Sequence, residues 1–213
     1  MLDSRRNLLL ACALSALAGF VDGIGFLHLG GLFVSFMSGN STRMGVSLAE
    51  ARWDEAMSAL GLIGLFVAGA AGGSLIMGRR SLHVQSILLL VEGSLLAMAT
   101  LFHLTEVPFG AVACIVLAMG LENAAFQIKG GGGLGLTYVT GALVKVGQGL
   151  ASALTGGPRF GWVLNLLLWV ALVAGSALGA WAYLQVGLIA IGGGAVFALL
   201  LAIFAGASAG SEH

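Results

Sequence analysis

The chain has 213 residues, of which 59% are hydrophobic and 8% charged, and its mean hydropathy is +1.04. A soluble domain carries about 25% charged residues, so a water-soluble fold is excluded and the chain reads as an all-α integral membrane protein with the lipid bilayer as its solvent. A formal net charge of zero argues against a nucleic-acid partner, and two cysteines inside apolar segments, Cys12 and Cys114, show no metal or CxxC spacing, so neither metal nor cofactor is expected.

The first element follows Arg5 and Arg6. Its apolar run continues to about Phe26 without a small-residue cleavage site, which makes it a retained first span rather than a signal peptide. A crossing needs roughly 20 apolar residues. Six segments qualify, at about 7–27, 57–78, 83–103, 108–128, 160–182 and 185–206. Two shorter and more polar segments, about 34–48 and 137–154, hold Ser38, Asn40, Ser41, Thr42 and Arg43 in one case and Thr137, Thr140, Lys145 and Gln148 in the other. Neither can face lipid along its length, because an unpaired polar group there costs several kcal/mol. In each, an extended stretch is expected to enter the membrane and a half-helix to leave it. The first half-helix is expected to start near Thr42 behind capping Ser38, Asn40 or Ser41, and the second behind Thr140.

Basic residues decide whether the short segments cross. If they do not, and the N-terminus is cytoplasmic, then Arg5, Arg6, Arg79, Arg80, Lys129 and Arg159 share the cytoplasmic face and Arg52 lies outside. If they do, Arg5, Arg6, Arg52 and Arg159 face Arg79, Arg80 and Lys129 across the bilayer. The positive-inside rule favours the first arrangement, with both termini cytoplasmic in a bacterial inner membrane.

The halves also repeat. Asp22 aligns with Glu122, Gly39 with Gly141, Arg43 with Lys145, Gly45 with Gly147, and Gly73-Ser74 with Gly175-Ser176. Residues 1–104 and 105–206 then form two three-span repeats, and 207–213 a tail. An odd number of crossings inverts the second repeat relative to the first. The small residues Gly69, Gly72, Gly73, Gly175 and Gly179 mark a close helix seam, either inside the chain or in a homodimer.

Gly19-Phe20-Val21-Asp22 with Phe36-Met37-Ser38-Gly39-Asn40 resembles the signature of the YoaK-like family of bacterial membrane proteins. So do Gly120-Leu121-Glu122-Asn123-Ala124-Ala125, Thr137-Tyr138-Val139-Thr140-Gly141 and Leu90-Val91-Glu92. The resemblance covers nearly the whole chain. It departs at Ser38, where the family usually has threonine, and in the glycine run before Thr137, where the family is more basic. It implies a membrane fold and no particular substrate.

Half-helix N-termini present free N–H groups and about half a positive charge. With Arg43 and Lys145 nearby, they suit a small polar or anionic solute at the repeat interface, held by Ser38, Gly39, Asn40, Thr42, Arg43, Asn123, Thr140, Gly141 and Lys145. Asp22, Glu92 and Glu122 lie in apolar spans, where carboxylates are costly and mark proton-coupling sites. The structural alternative is an ion pair, Asp22 with Lys145 or Glu122 with Arg43. Glu92 has Gly194 at the repeat position and so breaks the symmetry. The expected function is a secondary transporter, with a passive channel or a non-transporting accessory protein as alternatives. No catalytic serine–histidine, HExxH or paired-aspartate pattern supports an enzyme.

Overall fold

The computed structural model describes residues 5–78, 83–125 and 139–209. The expectations placed on Arg79, Arg80, Lys129, the glycine run, Thr137 and Tyr138 lie outside the described residues. The described elements are α1 (Arg5–His28), α2 (Met37–Ala49), α3 (Trp53–Met77), α4 (Val84–Leu104), α5 (Pro108–Ala125), α6 (Val139–Leu154), α7 (Val163–Val186) and α8 (Ile191–Ala209), with a 3-10 turn at Gly187–Ala190. The described helices fall within about four residues of the expected bounds except α8, which starts at Ile191 rather than about 185, after a 3-10 turn. Four stretches are long and apolar enough to cross a membrane: Leu8–His28, Trp53–Met77, Val84–Leu104 and Val163–Ala207. The last is 45 residues long and is broken at Gly187, whose positive φ of 65° separates α7 from α8. α5 and α6 are apolar but shorter.

Side-chain contacts give the helix directions. Ser15 Oγ donates to the Leu168 carbonyl at 2.8 Å, Gly19 lies on Leu172, Gly23 on Ser176, and His28 Nδ1 is 3.3 Å from the Tyr183 hydroxyl. Residue numbers rise together, so α1 and α7 run parallel. On α4 and α8, Ser86 Oγ donates to the Ala202 carbonyl, Gly93 lies on Ala195 and Leu199, and Thr100 is beside Gly192. Here the numbers run oppositely, and the pair is antiparallel. Leu14 packs with Ala202 and Gly194 with Leu17 and Val21, so α8 is antiparallel to α1 as well. α1, α4 and α7 therefore point one way and α8 the other. α5 reverses against α4 through the 105–107 connection, where Gly110 meets Phe102.

Close approach is provided by glycines. A Cβ on Gly19 would run into the Leu172 carbonyl, and one on Gly175 or Gly179 into the carbonyls of Ala16 and Phe20. On α3 and α5, Gly69 meets the Leu117 carbonyl and Gly120 that of Phe66. Such backbone contacts add dispersion and Cα–H···O stabilisation that larger residues forbid. The seam is thus internal to the chain at Gly69, Gly175 and Gly179, whereas Gly72, expected to share it, faces open space.

Between α1 and α2 the chain turns at Gly30 and Gly31, with φ of 61° and 95°, and folds back along α1. Val34 lies on Gly25, and the N–H groups of Val34 and Ser35 reach Asp22. Asp22 stands six residues before His28, about 9 Å along the helix axis at 1.5 Å per residue. α2 starts at that depth and leads back out to a tight turn at Ala51 before α3.

α2 begins at Met37, earlier than the expected start near Thr42, and no side chain caps it. Ser38 and Ser41 lie inside its first turns. Asn40 is diverted: its Oδ1 accepts from the Phe33 N–H (2.8 Å) and its Nδ2 donates to the Phe33 carbonyl (2.7 Å). The incoming strand thus outcompetes the helix terminus for the best capping side chain. α6 is described from Val139, and Thr140 lies inside it; where the helix begins lies outside the described residues.

Candidate functional site

Three acidic side chains converge from three helices. Glu92 of α4 and Glu122 of α5 are each 0% exposed, and none of their four carboxylate oxygens has a hydrogen-bond partner. Glu122 lies within electrostatic reach of both Glu92 and Asp22 of α1. Leaving buried carboxylates unbonded is costly, so such groups are either protonated or held for a ligand.

Asp22 is different. It is only partly buried, its Oδ1 accepts from the N–H groups of Val34 (3.2 Å) and Ser35 (2.9 Å), and its Oδ2 accepts from the Ser35 hydroxyl. These bonds anchor the turn just before α2. Asp22 thus holds the extended chain that leads into α2.

The remaining expected site residues divide. Asn40 is fully buried and bonded to Phe33. Gly39 leaves room for the rings of Phe33 and Phe36, which meet edge to face at 5.3 Å. Ser38, Thr42 and Arg43 are exposed on the outside of α2. Thr42 Oγ1 donates to the Ser38 carbonyl, and Arg43 Nη1 donates to the Gly30 carbonyl at 3.1 Å, pinning the turn rather than pairing with Glu122. Thr140, Gly141 and Lys145 ride on α6, which buries none of its residues and packs on α7, with Gly149 against Trp162. α2 packs on α3 instead, so the two half-helices share no extended face. Asn123 is buried beside Glu122 and donates from Nδ2 to the Met119 carbonyl.

The carboxylates that come together are thus Asp22, Glu92 and Glu122. Among the described residues no three His, Cys, Asp or Glu side chains are grouped closely enough to hold a metal ion.

A family model described as a protein of unknown function (DUF1275) matches residues 10–204. The chain belongs to the DUF1275 family. It is 36% identical over 195 residues to the UPF0700 transmembrane protein RA0705 of Rhizobium meliloti (strain 1021), covering 92% of this chain and 84% of that one. It is 26% identical over 161 residues to the UPF0700 transmembrane protein YoaK of Bacillus subtilis (strain 168), covering 70% and 69%. No solved structure matches the chain significantly. The resemblance to the YoaK-like family is therefore correct, and this DUF1275 member is a multi-pass membrane protein.

Sequence reasoning missed one group, His28, His103 and Tyr183. His28 ends α1 and His103 lies in the last turn of α4, within electrostatic reach of each other, and Tyr183 of α7 meets His28 edge-on with centroids 6.0 Å apart. Taken singly the histidines look like interfacial anchors. Their shared position at the ends of parallel helices is the signal that relates them.

Proposed function

We propose that the chain is a secondary transporter of a small polar solute, coupled to protons through Glu92 and Glu122. The observation that carries this reading is the pair of fully buried glutamates without hydrogen-bond partners where α4 and α5 meet. An ionisable group at such depth is expensive to keep, and in membrane proteins it marks an ion or proton path.

The helix directions support six crossings with α2 and α6 as re-entrant half-helices. α1, α4 and α7 run one way, so α2 begins and ends on one side and α6 on the other. The seams support two inverted repeats. Leu172, Gly175 and Ser176 stand to Ala16 and Gly19 as Phe66, Gly69 and Ala70 stand to Leu117 and Gly120. That register sets Asp22 opposite Asn123, one position on from Glu122, and Gly175 opposite Gly69 rather than Gly73. Repeats of this kind move against each other to open a central site alternately to each side. With the positive-inside rule, the termini are cytoplasmic and the membrane is the bacterial inner membrane.

Two measurements test the proposal. Dicyclohexylcarbodiimide, an apolar reagent for protonated carboxyl groups in membranes, is expected to modify Glu92 or Glu122, as read by peptide mass. In proteoliposomes holding an internal pH dye, at least one solute from a panel of amino acids, nucleobases, carboxylates and amines is expected to move protons with wild-type protein and not with Glu122→Gln. Unmodified glutamates together with flux indifferent to a pH gradient would overturn the coupled reading in favour of a passive channel.

A further inference from the structure

Helix contacts in the molecule are of two kinds. Where α1 meets α7 and α3 meets α5, glycine lies on main chain. A Cβ on Gly19 or Gly175 would strike the carbonyl of Leu172 or Ala16, and one on Gly69 or Gly120 that of Leu117 or Phe66. Around α4 and α8 glycine lies mainly on side chains. Gly93 of α4 meets Leu199 before the more distant Ala195 carbonyl, Gly192 of α8 meets Thr100, and Gly194 meets Leu17 and Val21. A side chain can change rotamer to let a neighbour slide, and a main-chain carbonyl cannot. α1 with α7 and α3 with α5 are therefore two stiff units, each with one helix from each half of the chain. Sliding is left to the side-chain contacts of α4 and α8.

The acidic groups straddle the boundary between the units. Asp22 belongs to the first, Glu122 to the second, and Glu92 to α4. The chain between α1 and α2 straddles it too. α2 packs on α3 and so goes with the second unit. Asn40 of α2 fastens the Phe33 N–H and carbonyl, which ties 33–35 to that unit as well. From there the Val34 N–H, the Ser35 N–H and the Ser35 hydroxyl reach back to Asp22 of the first unit. Behind them the chain turns at Gly30 and Gly31. Gly30 stands in open space, its carbonyl held by Arg43 of α2, and the freedom of glycine at this turn makes it the pivot.

We propose that Asp22 is a latch between the two units, and that release of Val34 and Ser35 from it opens the way to Glu92 and Glu122. Moving units are what the transport reading above requires, and the latch rests on that reading. Latched, the structure keeps both glutamates fully buried. Unlatched, the second unit swings on Gly30 and Gly31, the side-chain contacts of α4 and α8 slip, and the two glycine seams stay as they are. Asp22 is then a positioning residue, which holds the units together and does not touch the solute.

Double electron–electron resonance on the full chain in detergent tests the latch. Cys12 and Cys114 are replaced, and spin labels are placed on cysteine pairs at exposed positions. Leu9 with Leu184 reports on the first unit, Leu75 with Phe109 on the second, and Met57 with Leu184 on the boundary. Asp22→Ala is expected to give the Met57–Leu184 pair a second, separate distance. Ser35→Ala, which removes the hydroxyl alone, is expected to give a smaller share of it. The other two pairs are expected to keep their single distances. Should Asp22→Ala fail to run as one species on size exclusion, Ser35→Ala decides. An unchanged Met57–Leu184 distance in the variants that fold would overturn the latch. New distances within either unit would overturn it too, because a merely loosened fold widens all three pairs. Both results leave the transport reading to the proteoliposome assay. No flux of any solute alongside the expected distances would sink that reading and leave the latch in place.

Discussion

Asn40 does the work of a strand partner from within a helix. Its amide exchanges two hydrogen bonds with the Phe33 backbone, as a neighbouring strand would, and so ties the incoming extended segment to the first turns of α2. Asn40→Ala leaves the part-buried N–H and carbonyl of Phe33 without these partners, and is expected to destabilise the protein by about 1–3 kcal/mol, read as thermal unfolding in detergent. Asn40→Asp keeps the acceptor, loses the donor and adds a buried charge, so it should be no milder. Glu92 has the opposite logic. It is fully buried and bonds to nothing, so the fold itself gains little from it. Glu92→Met fills the same space with an apolar chain and is expected to raise the unfolding temperature while abolishing any proton-linked flux, because apolar replacement of buried ionisable groups is often stabilising. A drop in unfolding temperature instead would mean that Glu92 has a structural partner. The charged type of Asp22, Glu92 and Glu122 was legible in the sequence. The meeting of Glu92 with Glu122 was not, because Glu92 has no acidic counterpart in the second half and nothing in a linear pattern relates α4 to α5 at that depth.

Helix pairing here depends on where backbone can approach backbone. Gly19, Gly120 and Gly175 each face a carbonyl of the neighbouring helix so closely that no Cβ fits, whereas Gly45 and Gly61 face open space. Gly19→Ala, Gly120→Ala and Gly175→Ala are expected to cost about 1–3 kcal/mol or more, since the crossing helix must shift its main chain. Gly45→Ala and Gly61→Ala, at ordinary helical backbone angles, should stabilise by about 0.5–1 kcal/mol through helix propensity alone. Unfolding temperatures of the five variants measure this contrast, and similar losses at all five positions would remove the seam argument. The same seams explain which part of the repeat was readable. Helix positions followed from apolar length, and the proposed duplication rests on recurring polar turns. The register was harder. Matching acid to acid aligns Asp22 with Glu122, but packing aligns Gly19 with Gly120 and moves Asp22 to Asn123. Glycine contacts, invisible in one dimension, set the alignment that charge suggested only to within a residue.

At the scale of the whole molecule, everything turns on whether the chain between α1 and α3 returns to the side it left. The bonds of Val34 and Ser35 to Asp22, the parallel run of α1 with α7, and the opposed run of α4 with α8 support the proposal that neither α2 nor α6 makes a net crossing. Length alone did not decide the matter in the sequence, because segments 34–48 and 137–154, if helical throughout, would span about 22–27 Å, close to but short of the hydrocarbon core. In a background with Cys12 and Cys114 replaced, single cysteines at Ala51, Glu106 and Gly187 are expected to react with an impermeant maleimide on intact cells. Cysteines at Gly78 and Gly156 should react only after permeabilisation. If α2 and α6 did cross, Ala51 and Glu106 would move to the inner face, Gly78 would appear outside, and Gly187 and Gly156 would stay where they are. Ala51, Glu106 and Gly78 are therefore the informative positions, and the other two report that the labelling itself discriminates sides. With Ala51 on the outer face, α3 must descend before α4 rises, and Glu92 then approaches Glu122 from a helix running opposite to α5, the arrangement on which a site shared between two inverted halves depends.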